Sequence, residues 1–142
     1  MELEIRALGP GDDDAVVAAQ HLFDGPARAD ATARFLAEPG SHLLVGYAEG
    51  EPAGFVSGVE VTHPDKGTEM FLIELAVDDA HRRRGHGRAL VEALGELARK
   101  RGCTGMFVFV DDDNEAGRAA YRSAGGTEAS RPFMVDWSFV RF

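Results

Sequence analysis

A βαβ unit is written into residues 70–110. An apolar run, Met70 to Val77, is followed by the loop Asp78 to Arg84, by Gly85 and Gly87, and by a segment in which Leu90, Ala93, Leu94, Leu97 and Ala98 recur on one helical face. That pattern stops at Arg99-Lys100-Arg101-Gly102, which sets positive charge at the negative end of the helix, and a short apolar run, Met106 to Val110, comes next. A strand without polar alternation is buried on both faces, so the two runs read as parallel neighbours joined by a helical crossover.

The rest of the chain is punctuated by Gly, Pro and Asp into short elements, without a repeat or a low-complexity tract. Leu3 and Ile5 alternate with polar neighbours as in a strand. A helix capped by Asp12 or Asp13 follows, with Val16, Ala19 and Phe23 on one face. The segment Asp24 to Pro39 reads as a loop and a short helix around Ala33, Phe35 and Leu36. Ser41 to Ala48 and Ala53 to Val61 then form a hairpin about the turn Glu49-Gly50-Glu51-Pro52, and with Met70 to Val77 they make an antiparallel meander. Asp111-Asp112-Asp113-Asn114 leads into a last helix ending at Gly125-Gly126, and the alternation of Phe133, Val135, Trp137 and Phe139 predicts a closing strand. The expected fold is a mixed α/β domain spanning residues 1–142.

At 142 residues the chain suits one such domain. A net charge of -9 argues against a general nucleic-acid or anionic-membrane binder and favours small cationic partners. Cys103 is the only cysteine, so no intramolecular disulfide and no thiolate zinc cluster is expected, and a reducing, cytosolic setting suits the chain. No apolar run approaches membrane-spanning length, and the start of the chain has no signal-peptide pattern.

Against that acidic background, His81-Arg82-Arg83-Arg84-Gly85-His86-Gly87-Arg88 stands out. Glycines at a helix start let the backbone approach a ligand and turn free N–H groups towards one point, where the helix dipole favours an anion. The arginines add countercharge, so a phosphate-bearing ligand is expected, in preference to a solvated basic turn. The Walker pattern is absent, since Gly87 is followed by Arg88 and Ala89. The dinucleotide fingerprint fails too: Asp78 to Arg84 separate the strand from Gly85, and Leu90 occupies the third glycine position.

Arg82-Arg83-Arg84-Gly85-His86-Gly87, between a strand and a helix and followed by Asn114 and Tyr121, resembles the acetyl-CoA signature of the GCN5-related N-acetyltransferase (GNAT) superfamily. The resemblance covers Met70 to Gly126. It implies a central mixed, mostly antiparallel sheet whose parallel strand pair splays apart, with flanking helices. It further implies that the backbone of Leu75, Ala76 and Val77 pairs with the pantetheine of acetyl-CoA and that the pyrophosphate lies on the N–H groups of Arg84 to Arg88. Asn114 would hydrogen-bond the pantetheine, and Tyr121 would protonate the departing thiolate. Gly117 and Gly126 depart from the superfamily pattern, which often has alanine and an aromatic residue there.

Amide formation from a thioester needs a neutral amine, a polarised carbonyl and a stabilised leaving thiolate, and no cysteine nucleophile. Cys103 is therefore read as a packing residue, and His63, His81 and His86 as solvated loop histidines without a metal-binding spacing. Glu74, a carboxylate inside an apolar strand, and Asp111, just beyond the neighbouring strand, are the candidates for the base or for holding the substrate ammonium. Asp112 and Asp113 read as a solvated loop and cap.

Within the superfamily, Phe71 to Phe139 looks most like the short type I aminoglycoside 3-N-acetyltransferases, through Ile73-Glu74-Leu75-Ala76-Val77, His81-Arg82-Arg83, Asp111-Asp112-Asp113 and Phe133-Met134-Val135-Asp136-Trp137. The acceptor expected is a small cationic amine, with another metabolic amine, an amino acid or a peptide N-terminus as alternatives. A non-catalytic acyl-CoA sensor is the competing class. The family often dimerises, and the apolar face of the last segment suits either a dimer interface or the core.

Overall fold

The computed structural model describes residues 2–130 and 134–139. Strands β1 (Glu4–Leu8), β2 (Ser41–Ala48), β3 (Glu51–His63), β4 (Gly67–Val77) and β5 (Met106–Phe107) form one sheet in chain order. The first four are antiparallel, and β5 joins β4 in parallel through the crossover helix. Helices α1 (Asp13–Ala18) and α2 (Ala29–Ala37) cover one face; α3 (His86–Lys100) covers the other, with α4 (Glu115–Ser123) beside it. This is the expected mixed, mostly antiparallel sheet with flanking helices.

Each face has its own core because strand side chains alternate. Leu44, Val56, Met70 and Leu72 meet Leu90, Val91, Leu94 and Ala98 of α3, while Leu43, Val45 and Phe55 meet Val16, Ala19 and Leu36. The β2–β3 turn is tighter than the four residues expected: Glu49 and Gly50 take φ of 52° and 82°, the left-handed pair whose twist matches a two-residue hairpin, so Glu51 and Pro52 already pair with β2. Helix α1 stops at Ala18, and Phe23 reaches the core from the end of a short 3-10 turn, Gln20–Leu22. Asp12 stands at the α1 N-cap, but its carboxylate accepts instead from the Gly9 N–H at 2.8 Å.

The β3–β4 register carries the functional consequence. Ser57 pairs with Glu74 and Gly58 with Leu72, leaving Ile73 without a partner. This bulge resets the alternation along β4. Met70 and Leu72 point to α3 before it; Leu75 and Val77 do so after it, and Ala76 turns to the α1–α2 face. Glu74, two residues from Ala76, shares that face.

Two expected strands differ. β5 is two residues long rather than five, because β4 and β5 pair only at Met70–Met106 and Phe71–Phe107 before the bulged strand turns away. The closing strand is not formed: residues 134–139 have no regular structure, and Met134, Val135, Trp137 and Phe139 are 71–92% exposed. Phe133 lies outside the described residues. Alternation makes a segment fit to be a strand, but a strand exists only on a ladder, and these six residues have none.

Candidate functional site

The divergence of β4 from β5 opens a slot. Backbone bonds from Thr104 to Thr68 (2.8 Å) and from Met70 to Gly105 (2.9 Å) hold the two strands together at one end. From Leu72 to Val77 the edge of β4 that faces β5 carries no ladder partner among the described residues. An extended ligand can pair with such an edge as an added strand.

At the far end of the slot lies the arginine loop. Arg83 (φ 64°) and Gly85 (φ 77°) are both left-handed, and Gly85 caps α3 without a side-chain hydrogen bond. A Cβ at Gly85 would meet nothing within 4 Å, so the space above the cap is open. The first bond of α3 runs from the Ala89 N–H to the Gly85 carbonyl at 3.0 Å, which leaves the preceding N–H groups to face the loop. The arrangement fits a pyrophosphate: free donors, a fifteen-residue helix dipole and no obstructing Cβ.

The four arginines are not equivalent. Arg82 folds back to the Val77 carbonyl (3.3 Å) and Asp79 (3.1 Å), and Arg88 pairs along the helix with Glu92 (3.2 Å). Arg83 and Arg84 have no hydrogen-bond or ion-pair partner among the described residues, and both are exposed. They are the charges left over for a ligand. His86 departs from the solvated reading: it is 3% exposed, because it stands one helical repeat before Leu90 and Leu94 on the buried stripe of α3. Burial holds its pKa below the usual histidine value, and the nearby His81 and Arg84 add to that effect. His81 is also largely enclosed, its Nδ1 lying 3.8 Å from Asp78.

Asn114 caps α4, its Oδ1 accepting from the Gly117 N–H at 3.0 Å. That contact explains one departure from the family pattern, since a Cβ at position 117 would lie 2.6 Å from the Asn114 amide nitrogen. Gly126 is explained similarly: its N–H bonds to the Tyr121 carbonyl at 2.9 Å, and a Cβ would stand 2.9 Å from that oxygen. Tyr121 packs half-buried against the α3-side core, and burial raises its phenol pKa. Its neighbour Ala120 approaches Gly87, which in turn lies beside Leu75 and Val77. Helix α4 is thereby packed beside the first turn of α3 and the end of β4.

Glu74 opens onto the other face of the sheet. Partial shielding raises its pKa, and the negative charge of Asp24 raises it further. Asp111 is exposed, on the stretch following β5, and its backbone carbonyl accepts from Asn114. Asp112 and Asp113 likewise use backbone carbonyls, to Arg118 and Glu115. Cys103 is half-buried at the end of α3 and packs on the core, as expected.

Two features escaped the sequence reading. Asp24 comes to Glu74 from 50 residues away in the chain, and its only local signal is its place beside the core aromatic Phe23. The second is an aromatic group of β4, β5 and the residues after it: Phe71 stacks on Phe107 at 4.8 Å, and Phe109 meets both edge-on. Period-two spacing of Phe107 and Phe109 is the trace it leaves in sequence.

The sequence pattern of the Acetyltransferase (GNAT) family matches residues 14–125. N-acetyltransferase 8 of Homo sapiens is 29% identical over 110 residues, covering 77% of this chain. The [Ribosomal protein bS18]-alanine N-acetyltransferase of Escherichia coli (strain K12) is 40% identical over 62 residues, 44% of this chain and 42% of its own. The chain spans about half the length of the first curated relatives, 48% and 54%. Among solved structures, the aminoglycoside acetyltransferase meta-AAC0020 from an uncultured soil metagenomic sample superposes with a TM-score of 0.88 at 18% identity, covering 96% of both chains. A second soil enzyme, the aminoglycoside acetyltransferase HMB0005, gives 0.81 at 27% identity, covering 97% of this chain and 100% of its own.

Proposed function

Because this chain belongs to the acetyltransferase (GNAT) family, we propose that it transfers the acetyl group of acetyl-CoA directly to a primary amine of a small cationic acceptor. The observation that carries this reading is the slot itself. The β4 edge, without a ladder partner among the described residues from Leu72 to Val77, ends beside Gly87, in the first turn of the helix that the open Gly85 cap begins.

The N–H groups of Arg84, Gly85, His86, Gly87 and Arg88 hold the pyrophosphate, with the side chains of Arg83 and Arg84 above it. Arg82 and Arg88 act through the loop, bracing it from either side by their own ion pairs. Leu75 offers its backbone groups to the pantetheine, whereas Ala76, expected to do the same, turns its carbonyl to Gly54 of β3 and pairs with that strand instead. The Val77 carbonyl already accepts from Arg82, so Val77 closes the row. The Asn114 side-chain NH2 donates to the same arm while its oxygen caps α4.

The reaction needs one proton removed and one supplied. The Glu74 carboxylate takes the proton from the attacking amine, and its raised pKa brings it closer to the operating pH than an ordinary carboxylate. As the new C–N bond forms and the C–S bond breaks, the Tyr121 hydroxyl donates to the thiolate sulfur; burial keeps that hydroxyl protonated at neutral pH. Asp111 holds a charged part of the acceptor at the open end of the slot. An aminoglycoside, modified at its 3-amino group, is the acceptor favoured by the residues shared with the type I enzymes, by a net charge of -9 and by similarity to HMB0005 at 27% identity. The exposed run Met134 to Phe139 supports a homodimer, which light scattering would read as twice the chain mass. The proposed setting is the cytosol.

The test is release of CoA thiol from acetyl-CoA across aminoglycosides, polyamines, amino acids and short peptides. Turnover confined to aminoglycosides is the expected result. Turnover only with peptides moves the acceptor to a protein N-terminus, and silence throughout, with acetyl-CoA binding intact, replaces the enzyme by an acyl-CoA sensor.

A further inference from the structure

Resting on the reading of Glu74 as the base, we propose that Phe109 sets acceptor specificity: its exposed ring takes the flat apolar face of a ring-bearing amine, which is preferred over an open-chain amine of equal charge and carbon number. Alternation fixes the side of the sheet. Met106 and Val108 pack on the α3-side core, so Phe107 and Phe109 project to the opposite side. On β4, Met70 and Leu72 point to α3, and Phe71 points away from it. The three rings meet there. Phe71 and Phe107 lie parallel at 4.8 Å, and Phe109 stands across both, at 5.7 and 5.8 Å. None of the three joins either core.

The bulge brings the carboxylate to the same side. Phe71 and Glu74 stand an odd number of residues apart and would face oppositely in a regular strand; with Ile73 unpaired, both face away from α3. The rings lie where the ladder between β4 and β5 ends, at Phe71–Phe107, and Glu74 follows on β4 beyond that point. The stacked pair is closed on itself, whereas Phe109 is 64% exposed and Ile73, between the rings and the carboxylate in sequence, is 45% exposed. Aromatic and aliphatic surface left in water on the face that carries a carboxylate is complementary to a molecule that is apolar at one end and cationic at the other. Glu74 matches the reacting nitrogen, and Phe109 matches the carbon skeleton that bears it. A rigid ring lies on an aromatic plane at little ordering cost, while a flexible chain must first be straightened onto it. The site therefore discriminates by shape where charge is equal.

Cyclohexylmethylamine and heptylamine are the probes, alike in charge and carbon number. Release of CoA thiol gives the ratio of kcat/KM, ring over chain, and calorimetric titration of each amine gives the ratio of affinities without catalysis. In the wild-type chain both ratios should exceed about five, the worth of one ring contact. Phe109→Ala should bring them close to one, chiefly through KM, and Phe109→Tyr, which keeps the ring, should restore them. The position is exposed, so both variants should melt with the wild type and bind acetyl-CoA equally well. Glu74→Gln should instead lower kcat for both amines and leave the ratio in place. A wild-type ratio near one, or a ratio that Phe109→Ala does not change, overturns the proposal. So does an unchanged ratio accompanied by a lower light-scattering mass for Phe109→Ala, which would give the ring to a second copy of the chain. Silence with every amine would fall on the transferase reading, and the affinity ratio would still decide the role of Phe109.

Discussion

Gly54→Ala tests whether the end of β4 is as tightly set as the slot requires. Gly54 sits on β3 opposite Val77, and a Cβ there would lie 2.8 Å from the Ala76 carbonyl oxygen, 3.1 Å from Leu90 Cδ1 and 3.4 Å from Val77 Cα. The first contact is with backbone, and Leu90 is fully buried, so neither neighbour can swing aside. The strand end has to move by roughly half an ångström, an overpacking cost of about 1–3 kcal/mol. An unfolding entropy of about 0.3 kcal/mol/K for a chain of this size converts that to a fall in Tm of about 3–10 °C. Because Leu75 and Val77, on either side of Ala76, form the edge proposed for pantetheine, the same shift should weaken acetyl-CoA binding by about tenfold. Calorimetric melting and titration with acetyl-CoA read the two effects. Gly25→Ala is the control, since a Cβ there meets nothing within 4 Å and the backbone is not left-handed. A Gly54→Ala protein that melts with the control and binds acetyl-CoA as well as the wild type would refute the reasoning.

Tyr121→Phe should lower kcat by about 10–100-fold with little change in acetyl-CoA affinity, measured by steady-state rates and titration; equal kcat would remove the hydroxyl from the proton path. Glu60 joins β3 to β2 and to the end of α3 by accepting from His42 (2.7 Å) and Arg101 (2.8 Å). Burial alone would raise its pKa, but those two bonds outweigh it and leave the value below 4.5, so its contribution is present above that pH and is lost as pH falls through the lower folded value. Glu60→Ala should cost about 1.5–3 kcal/mol at neutral pH and flatten the acid limb of a denaturation series; an unchanged limb would assign acid sensitivity elsewhere. Burial also raises the Cys103 thiol pKa, so a disulfide reagent should label the native chain far more slowly than the urea-unfolded chain at the same pH, and equal rates would contradict its packed position.

The elements whose signal is local could be read directly. The 3.6-residue recurrence through Leu90, Leu94 and Ala98 marks α3, and the apolar run of β4 marks the strand before it, because those patterns report which side of a segment meets the core. Glycine beside arginine at a helix start marks the left-handed, positively charged cap of α3, since it states a backbone geometry and a charge at once. His86 was misread because its neighbours in sequence are loop residues while its neighbours in space are decided by the phase of the helix that begins there.

What lay beyond the sequence depends on register and on partners. One unpaired residue, Ile73, resets the alternation of β4 and sends Glu74 to the face away from α3, and no periodicity predicts on which strand a bulge falls. Phe23 packs edge-on against Phe55 of β3, a contact across 32 residues that no local pattern foretells. Residues 134–139 have the alternation of a strand without being one. The amino-acid order thus determined the elements and the arginine–glycine loop, whose physics lies within a few residues. The tertiary structure decided the free β4 edge and the side of the sheet that Glu74 takes, because strand pairing and register are properties of segments that only folding brings together.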